Sequence, residues 1–168
     1  MSLPLKLIIT HGPFEQWGLH FIREINPSSS EQHKWILTAT YYFTKWIEAT
    51  PTPNETDKVI MEFLEGHIFS RFGCPKKLVT DNAQYFKSNS MIDLCNKYNI
   101  ELVHSTPYYP QGNGLAESSN KSLIRIIKKL LVENKKSWDS KLKFSLWDDR
   151  ISNKKSIGTS PSQMVYWT

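Results

Sequence analysis

Cysteine is scarce in this chain: Cys74 and Cys95 are the only two among 168 residues. Neither belongs to a Cys-x-x-Cys pair or has a histidine at ligand spacing. That argues against a disulfide framework and against a cysteine zinc site, and it suits a reducing compartment. Long apolar runs are also missing. The longest, Leu5–Ile9 and Ile124–Val132, are broken by Lys6 and by Arg125, Lys128 and Lys129, so neither can span a bilayer. The first residues lack an apolar signal region and a small-residue cleavage site, which argues against secretion. Basic residues come in pairs, not longer clusters, so no clear targeting signal stands out. No internal repeat or low-complexity tract is visible. Nothing points to a membrane or a small-molecule cofactor.

What is present suits one globular domain. Hydrophobic residues make up 39% and charged residues 22%, an ordinary soluble composition. Lysine and arginine outnumber aspartate and glutamate by 21 to 16, a net charge of +5. A basic balance favours an anionic partner, with nucleic acid first, although a solvated basic surface would look the same.

The pattern along the chain predicts an α/β order. Residues 1–10 read as a lead-in segment and 11–168 as a single domain. Trp17–Ile25 alternates like a strand, Lys34–Phe43 is rich in β-formers, and Lys45–Thr50 gives a third strand that Pro51 and Pro53 should end. Asn54 or Thr56 can cap a helix with Val59, Ile60, Phe63, Leu64 and Ile68 on one stripe, stopped by Gly73 and Pro75. Lys77–Thr80 is a short strand that delivers Asp81 to its end. Met91, Leu94, Cys95 and Tyr98 mark a second helix, and Ile100–His104 a fifth strand. Two prolines and two glycines make 107–114 a loop. A long helix from about Leu115 to Asn134 follows, with Leu123, Ile126, Ile127, Leu130 and Leu131 inward. A last helix from Ser137 carries Trp138, Leu142, Leu146 and Trp147. The expectation is a mixed sheet covered by helices.

Two acids stand where chemistry is possible. Asp81 ends a strand and Glu117 opens the long helix, with thirty-five residues between them. Converging carboxylates can hold a divalent cation through hard oxygen ligands. The plainer alternative makes Asp81 a turn former and Glu117 a residue suited to a helix N-terminus. At about 100° per residue, Glu117, Lys121 and Lys128 share a narrow helix sector with Arg125 at its edge. That flank is either a phosphate track or a solvated face containing an ordinary i,i+4 pair. Tyr108 and Tyr109 offer stacking surfaces for bases or simple anchors for the loop.

Several longer motifs carry a resemblance: Trp17-Gly18-Leu19, Tyr42-Phe43-Thr44-Lys45-Trp46-Ile47-Glu48-Ala49, Arg71-Phe72-Gly73-Cys74-Pro75, Val79-Thr80-Asp81-Asn82, and His104 through Glu117. In this order and at this spacing, the chain from about residue 11 to 166 resembles the retroviral-type integrase catalytic core, in particular integrases of plant gypsy-like LTR retrotransposons. The resemblance implies a ribonuclease H-like α/β fold, with a five-stranded mixed sheet flanked by helices. It implies three acids holding two Mg2+ or Mn2+ ions, polynucleotidyl transfer at DNA 3′ ends, self-association into a homo-oligomer, and a nuclear site of action. By motif position, Asp81 and Glu117 are the second and third acids. Lys121 matches a lysine that contacts the element's DNA end, and Gln111 and Asn113 fall in the mobile catalytic loop. Arg125 and Lys128 extend the expected DNA contact. The family's zinc-binding and C-terminal DNA-binding modules are not seen, so a fragment or truncated copy is expected.

The departures from the family pattern matter as much. His20 occupies the position of the first acid, the one that bridges both ions. An imidazole offers one ring lone pair and cannot bridge two hard cations. Arg23 stands for a glycine, Tyr41 for an aspartate, Ser162 for a phenylalanine and Trp167 for a glycine. His20, Arg23, Tyr41 and Trp167 are each one base change from the family residue. The expectation is a decaying element copy with absent or very weak strand transfer. The rivals are a residual metal-dependent nuclease using His20, Asp81 and Glu117, a non-enzymatic DNA-binding or self-associating module, and a relic whose folding is compromised by Arg23 and Tyr41.

Overall fold

A computed structural model describes residues 15–22, 25–105 and 114–151, with the side chains of 114–120 left undescribed. Five strands form one mixed sheet: β1 (Gln16–Ile22), β2 (Trp35–Tyr41), β3 (Ile47–Thr52), β4 (Lys77–Thr80) and β5 (Glu101–His104). Their spatial order is β3-β2-β1-β4-β5. The first three are an antiparallel meander, while β4 and β5 join parallel to β1 and to each other. Helix α1 (Asp57–Phe63) runs into a π-helical segment (Leu64–Phe69) and a final short helix α2 (Ser70–Phe72). Helices α3 (Asn89–Lys97), α4 (Gly114–Glu133) and α5 (Trp138–Ile151) complete the described set.

Alternation along β1 sorts its side chains between two layers. Trp17, Leu19 and Phe21 face a core built with Ile60, Phe63, Leu64 and Ile68 of the first helical run and Met91, Leu94 and Cys95 of α3. Ile22, Ile36 and Ile47 face the other core, with Leu123, Ile127 and Leu130 of α4 and Trp138, Leu142 and Leu146 of α5. Ile36, Leu37, Leu123 and Ile60 are fully buried, each stabilising by roughly 1.5–3 kcal/mol relative to exposure. Helix starts follow their capping chemistry. Of the two caps open in the sequence, Thr56 accepts from the Val59 N–H, and Ser88 accepts from the Met91 N–H. The first run stops at Gly73, where φ is +82°, a conformation that costs glycine little.

The structure corrects several boundaries. β1 is described over Gln16–Ile22, and Ile25 lies outside a strand although its N–H donates to the Lys34 carbonyl at 2.8 Å. β2 is shorter at both ends than Lys34–Phe43. β3 begins later than Lys45 and continues through Pro51 to Thr52. Pro51 is tolerated because β3 is an edge strand, where one side needs no ladder N–H. The 3-10 turn Gln84–Phe86, which no periodicity announces, buries Phe86 completely. Trp147 is 59% exposed, not inward, because it follows Leu146 by about 100° of helix rotation. The buried row runs Trp138, Leu142, Leu146 and Asp149 instead. Tyr41, suspected of not fitting, is buried and stacks on Trp17 with ring centroids 5.2 Å apart. Burial, then the nearby Glu15 charge, pushes its hydroxyl pKa up. Arg23, Ser162 and Trp167 lie outside the described residues.

Candidate metal and nucleic-acid site

The parallel pairing of β1 with β4 sets Gly18 opposite Val79. Two residues further along, the same register brings His20 beside Asp81. The His20 Nδ1 and Asp81 Oδ2 atoms are 3.8 Å apart, with the side chains 42% and 40% exposed. Both are therefore open to solvent and to a ligand. Alternation places His20 on the face shared with Ile22, the face that α4 and α5 cover. The His20 carbonyl is held from the neighbouring strand by the Thr38 hydroxyl at 3.1 Å.

Asp81 is held from several directions. Its Oδ1 accepts the Ala83 N–H at 2.8 Å, a local turn that leaves Oδ2 toward His20. The Thr80 hydroxyl donates to the Asp81 carbonyl at 2.9 Å. His104 Nδ1 stands 2.7 Å from the same hydroxyl oxygen. Ser105 ties β5 to β4 through its N–H and its hydroxyl, at 2.7 and 3.0 Å from the Thr80 carbonyl. The Asn82 amide donates to the Ser105 carbonyl at 3.2 Å. Sequence reasoning misses the part played by Thr80, His104 and Ser105. Only their position at strand ends hints at a role.

The other expected residues divide into three groups. Glu117 lies near the start of α4, but its side chain is outside the described set. Gln111 and Asn113 lie outside the described residues altogether. Lys121, Arg125 and Lys128 are all exposed on α4, as is Lys129, beside the buried row Leu123, Ile127 and Leu130. The apolar row fixes the helix's rotation and so turns the basic residues outward.

The five-stranded mixed sheet and its flanking helices agree with comparison against known proteins. Residues 10–110 match the profile of the integrase core domain. The chain belongs to the integrase core domain family. It is 30% identical over 92% of its length to the Gag-Pol polyprotein of avian reticuloendotheliosis virus, of which it covers 13%. It is 30% identical over 93% of its length to the Pol polyprotein of radiation murine leukemia virus (strain Kaplan), of which it covers 26%. The integrase core thus spans a small part of these polyproteins. In fold it is similar to a chain of the simian T-cell lymphotropic virus intasome in complex with PP2A regulatory subunit B56 gamma, with a TM-score of 0.77 at 20% identity, covering 91% of this chain and 54% of that one. The fold is the ribonuclease H-like fold of integrase cores. Integrase core domains in general use divalent metals.

Proposed function

We propose that this chain is the integrase core of an LTR retroelement, related to the plant gypsy-like group, whose metal centre is disabled at its first ligand position while its DNA-binding surface is retained. The observation that carries this is the imidazole of His20 facing Asp81 at 3.8 Å. In this reading Asp81 and Glu117 are the second and third acids, and Gln111 and Asn113 belong to the loop beside the DNA.

The donor set argues against a two-ion centre. Mg2+ prefers oxygen ligands in near-octahedral order. The pair supplies one imidazole nitrogen and one carboxylate, and that carboxylate already spends Oδ1 on the Ala83 N–H. The imidazole lone pair reaches one cation only, and it brings no negative charge when it does. These residues do not fit a pair of Mg2+ ions, so no step of phosphoryl transfer is routed through them. DNA binding does not need the metals. Lys121, Arg125 and Lys128 are positioned to meet phosphates without reading sequence, an interaction that weakens steeply with salt.

The test compares this chain with its His20→Asp variant in DNA nicking and strand transfer, in Mg2+ and in Mn2+. A gain confined to the variant supports the reading. Equal activity of the unaltered chain refutes it and favours a residual nuclease built on His20. In parallel, replacing Lys121, Arg125 and Lys128 by glutamine should flatten the salt dependence of DNA affinity. The log–log slope should fall by about 0.9 for each phosphate no longer neutralised.

A further inference from the structure

A second group of ligating side chains, unconnected with His20 and Asp81, lies where the turn before β2 meets the start of α5. His33 Nδ1 is 2.7 Å from Asp139 Oδ2 and 3.9 Å from Glu31 Oε2. All three ligand atoms lie within 4.8 Å of one another. We propose that Glu31, His33 and Asp139 form a binding site for one borderline transition-metal ion, with Zn2+ first in line.

The argument is geometric. A cation equidistant from three atoms at those separations lies about 2.0–2.4 Å from each, close to the ~2.0–2.2 Å of zinc bonds to nitrogen and carboxylate oxygen. Opening the 2.7 Å His33–Asp139 pair by about half an ångström, toward the roughly 3.3 Å separation of tetrahedral zinc ligands, would complete three bonds, and water would supply the fourth. One nitrogen and two carboxylates with an open position is a set that Zn2+ accepts, whereas Mg2+ disfavours the nitrogen. Two carboxylates and a neutral imidazole also match the charge of a divalent ion.

Two of the three ligands are held in advance. The turn is tied by the Ser29 N–H to the His33 carbonyl at 2.9 Å, by the Gln32 N–H to the Ser29 carbonyl at 2.9 Å, and by the His33 N–H to the Ser29 hydroxyl at 3.1 Å. The Asp139 side chain is 9% exposed, and its Oδ1 accepts the Ser140 N–H at 2.8 Å. Such bonds to the outer lone pairs orient a ligating carboxylate. Glu31, 79% exposed, is the mobile ligand that closes over the ion. On binding, the ion takes the Nδ1 lone pair in place of the hydrogen bond to Asp139, and the neutral ring carries its one proton on Nε2. The ion would then staple the turn before β2 to α5.

Zn2+ titration by calorimetry, with Co2+ absorption as a coordination probe, tests this on the whole chain. One ion per chain is expected, with a rise in Tm on adding Zn2+. Glu31→Gln, at an exposed position that leaves the fold intact, should weaken binding at least about tenfold, and His33→Gln should abolish it. His20→Gln should leave it unchanged. Absence of binding, binding indifferent to Glu31→Gln and His33→Gln, or binding lost in His20→Gln would each overturn the proposal. In the first case the three residues are a hydrogen-bonded staple only.

Discussion

The imidazole of His20 and the carboxylate of Asp81 stand 3.8 Å apart at the ends of two parallel strands, an arrangement that sets one carboxylate against one imidazole. Replacing His20 by aspartate reverses that balance. Two carboxylates would then face each other and gain from a cation. Both positions are about two-fifths exposed, so screening keeps the metal-free penalty small, about 0.5–1 kcal/mol. We predict that His20→Asp melts a few degrees lower than the parent in chelator, and that Mg2+ or Mn2+ recovers more than the loss. The parent should show no Mg2+-dependent shift. Equal Mg2+ shifts in both proteins would mean that the histidine is not the lesion.

Gly18 lies one alternation before His20, and its missing side chain is what lets Tyr42 pack. A Cβ at position 18 would meet the Tyr42 Cε1 at 2.7 Å and its hydroxyl oxygen at 2.8 Å, distances that force the ring to move. The Tyr42 hydroxyl is buried, and desolvation pushes its pKa up to about 12, with the Gln16 side chain opposing. Gly18→Ala should cost about 1–3 kcal/mol by overpacking. If the ring is the cause, Gly18→Ala should cost much less in a Tyr42→Leu background. Equal costs in the two backgrounds, measured by urea unfolding, would assign the loss to the strand itself.

Much of this architecture is legible in the sequence because local signals agree with it. Leu78-Val79 ahead of Asp81, the Thr56 cap, and the i, i+4 row Leu123, Ile127 predict elements that the structure retains. The failures share a physical reason: they depend on partners distant in sequence. Pro51 looks like a strand breaker until β3 is known to be an edge. Trp147 looks like core until the rotation of α5 is fixed by Trp138 and Leu142. The site shows the same division. Asp81 at a strand end follows from its neighbours, but its approach to His20 needs the β1–β4 pairing, and its support by Thr80 and His104 needs β5.

Glu48 is a further case, since its burial depends on partners distant in sequence. It is in fact 5% exposed on its side chain, its Oε1 accepts from Trp46 Nε1 at 2.7 Å and Arg71 Nη1 at 2.9 Å, and it forms an ion pair with Arg150 Nη2 at 3.2 Å. Arg150 also donates to the Ile47 carbonyl at 2.8 Å and stacks over the Trp46 ring at 4.5 Å. The group fastens the end of α5 to β3. Removing a buried ion's partner leaves a desolvated charge, so Glu48→Ala should cost about 3–5 kcal/mol. Arg71, 43% exposed, can rehydrate, and Arg71→Ala should cost about 1 kcal/mol or less. Arg150→Ala should resemble Glu48→Ala. Similar losses for Arg71→Ala and Arg150→Ala in chemical denaturation would show that burial does not set the scale here.

The start of α5 gives a pH-dependent prediction. Burial alone would raise the Asp139 pKa, but hydrogen bonds from Ser29, His33 and the Ser140 N–H, together with the His33 charge, outweigh it and hold the carboxyl below its ordinary value. A group whose folded pKa is depressed stabilises the fold above its unfolded pKa, about 4 for aspartate. That contribution is lost as pH falls through the folded value. Asp139→Asn keeps the shape but removes the charge, so at pH 7 it should be less stable by about 1–3 kcal/mol, the range for bonds to a charged acceptor and its loss. The gap should persist down to about pH 5, narrow through the aspartate range near pH 4 and close in stronger acid. Melting curves of the two proteins from pH 7 to 3, taken in chelator so that no metal contributes, would test this. A gap that stays constant across the range would mean that the carboxylate's charge is not what holds the helix start.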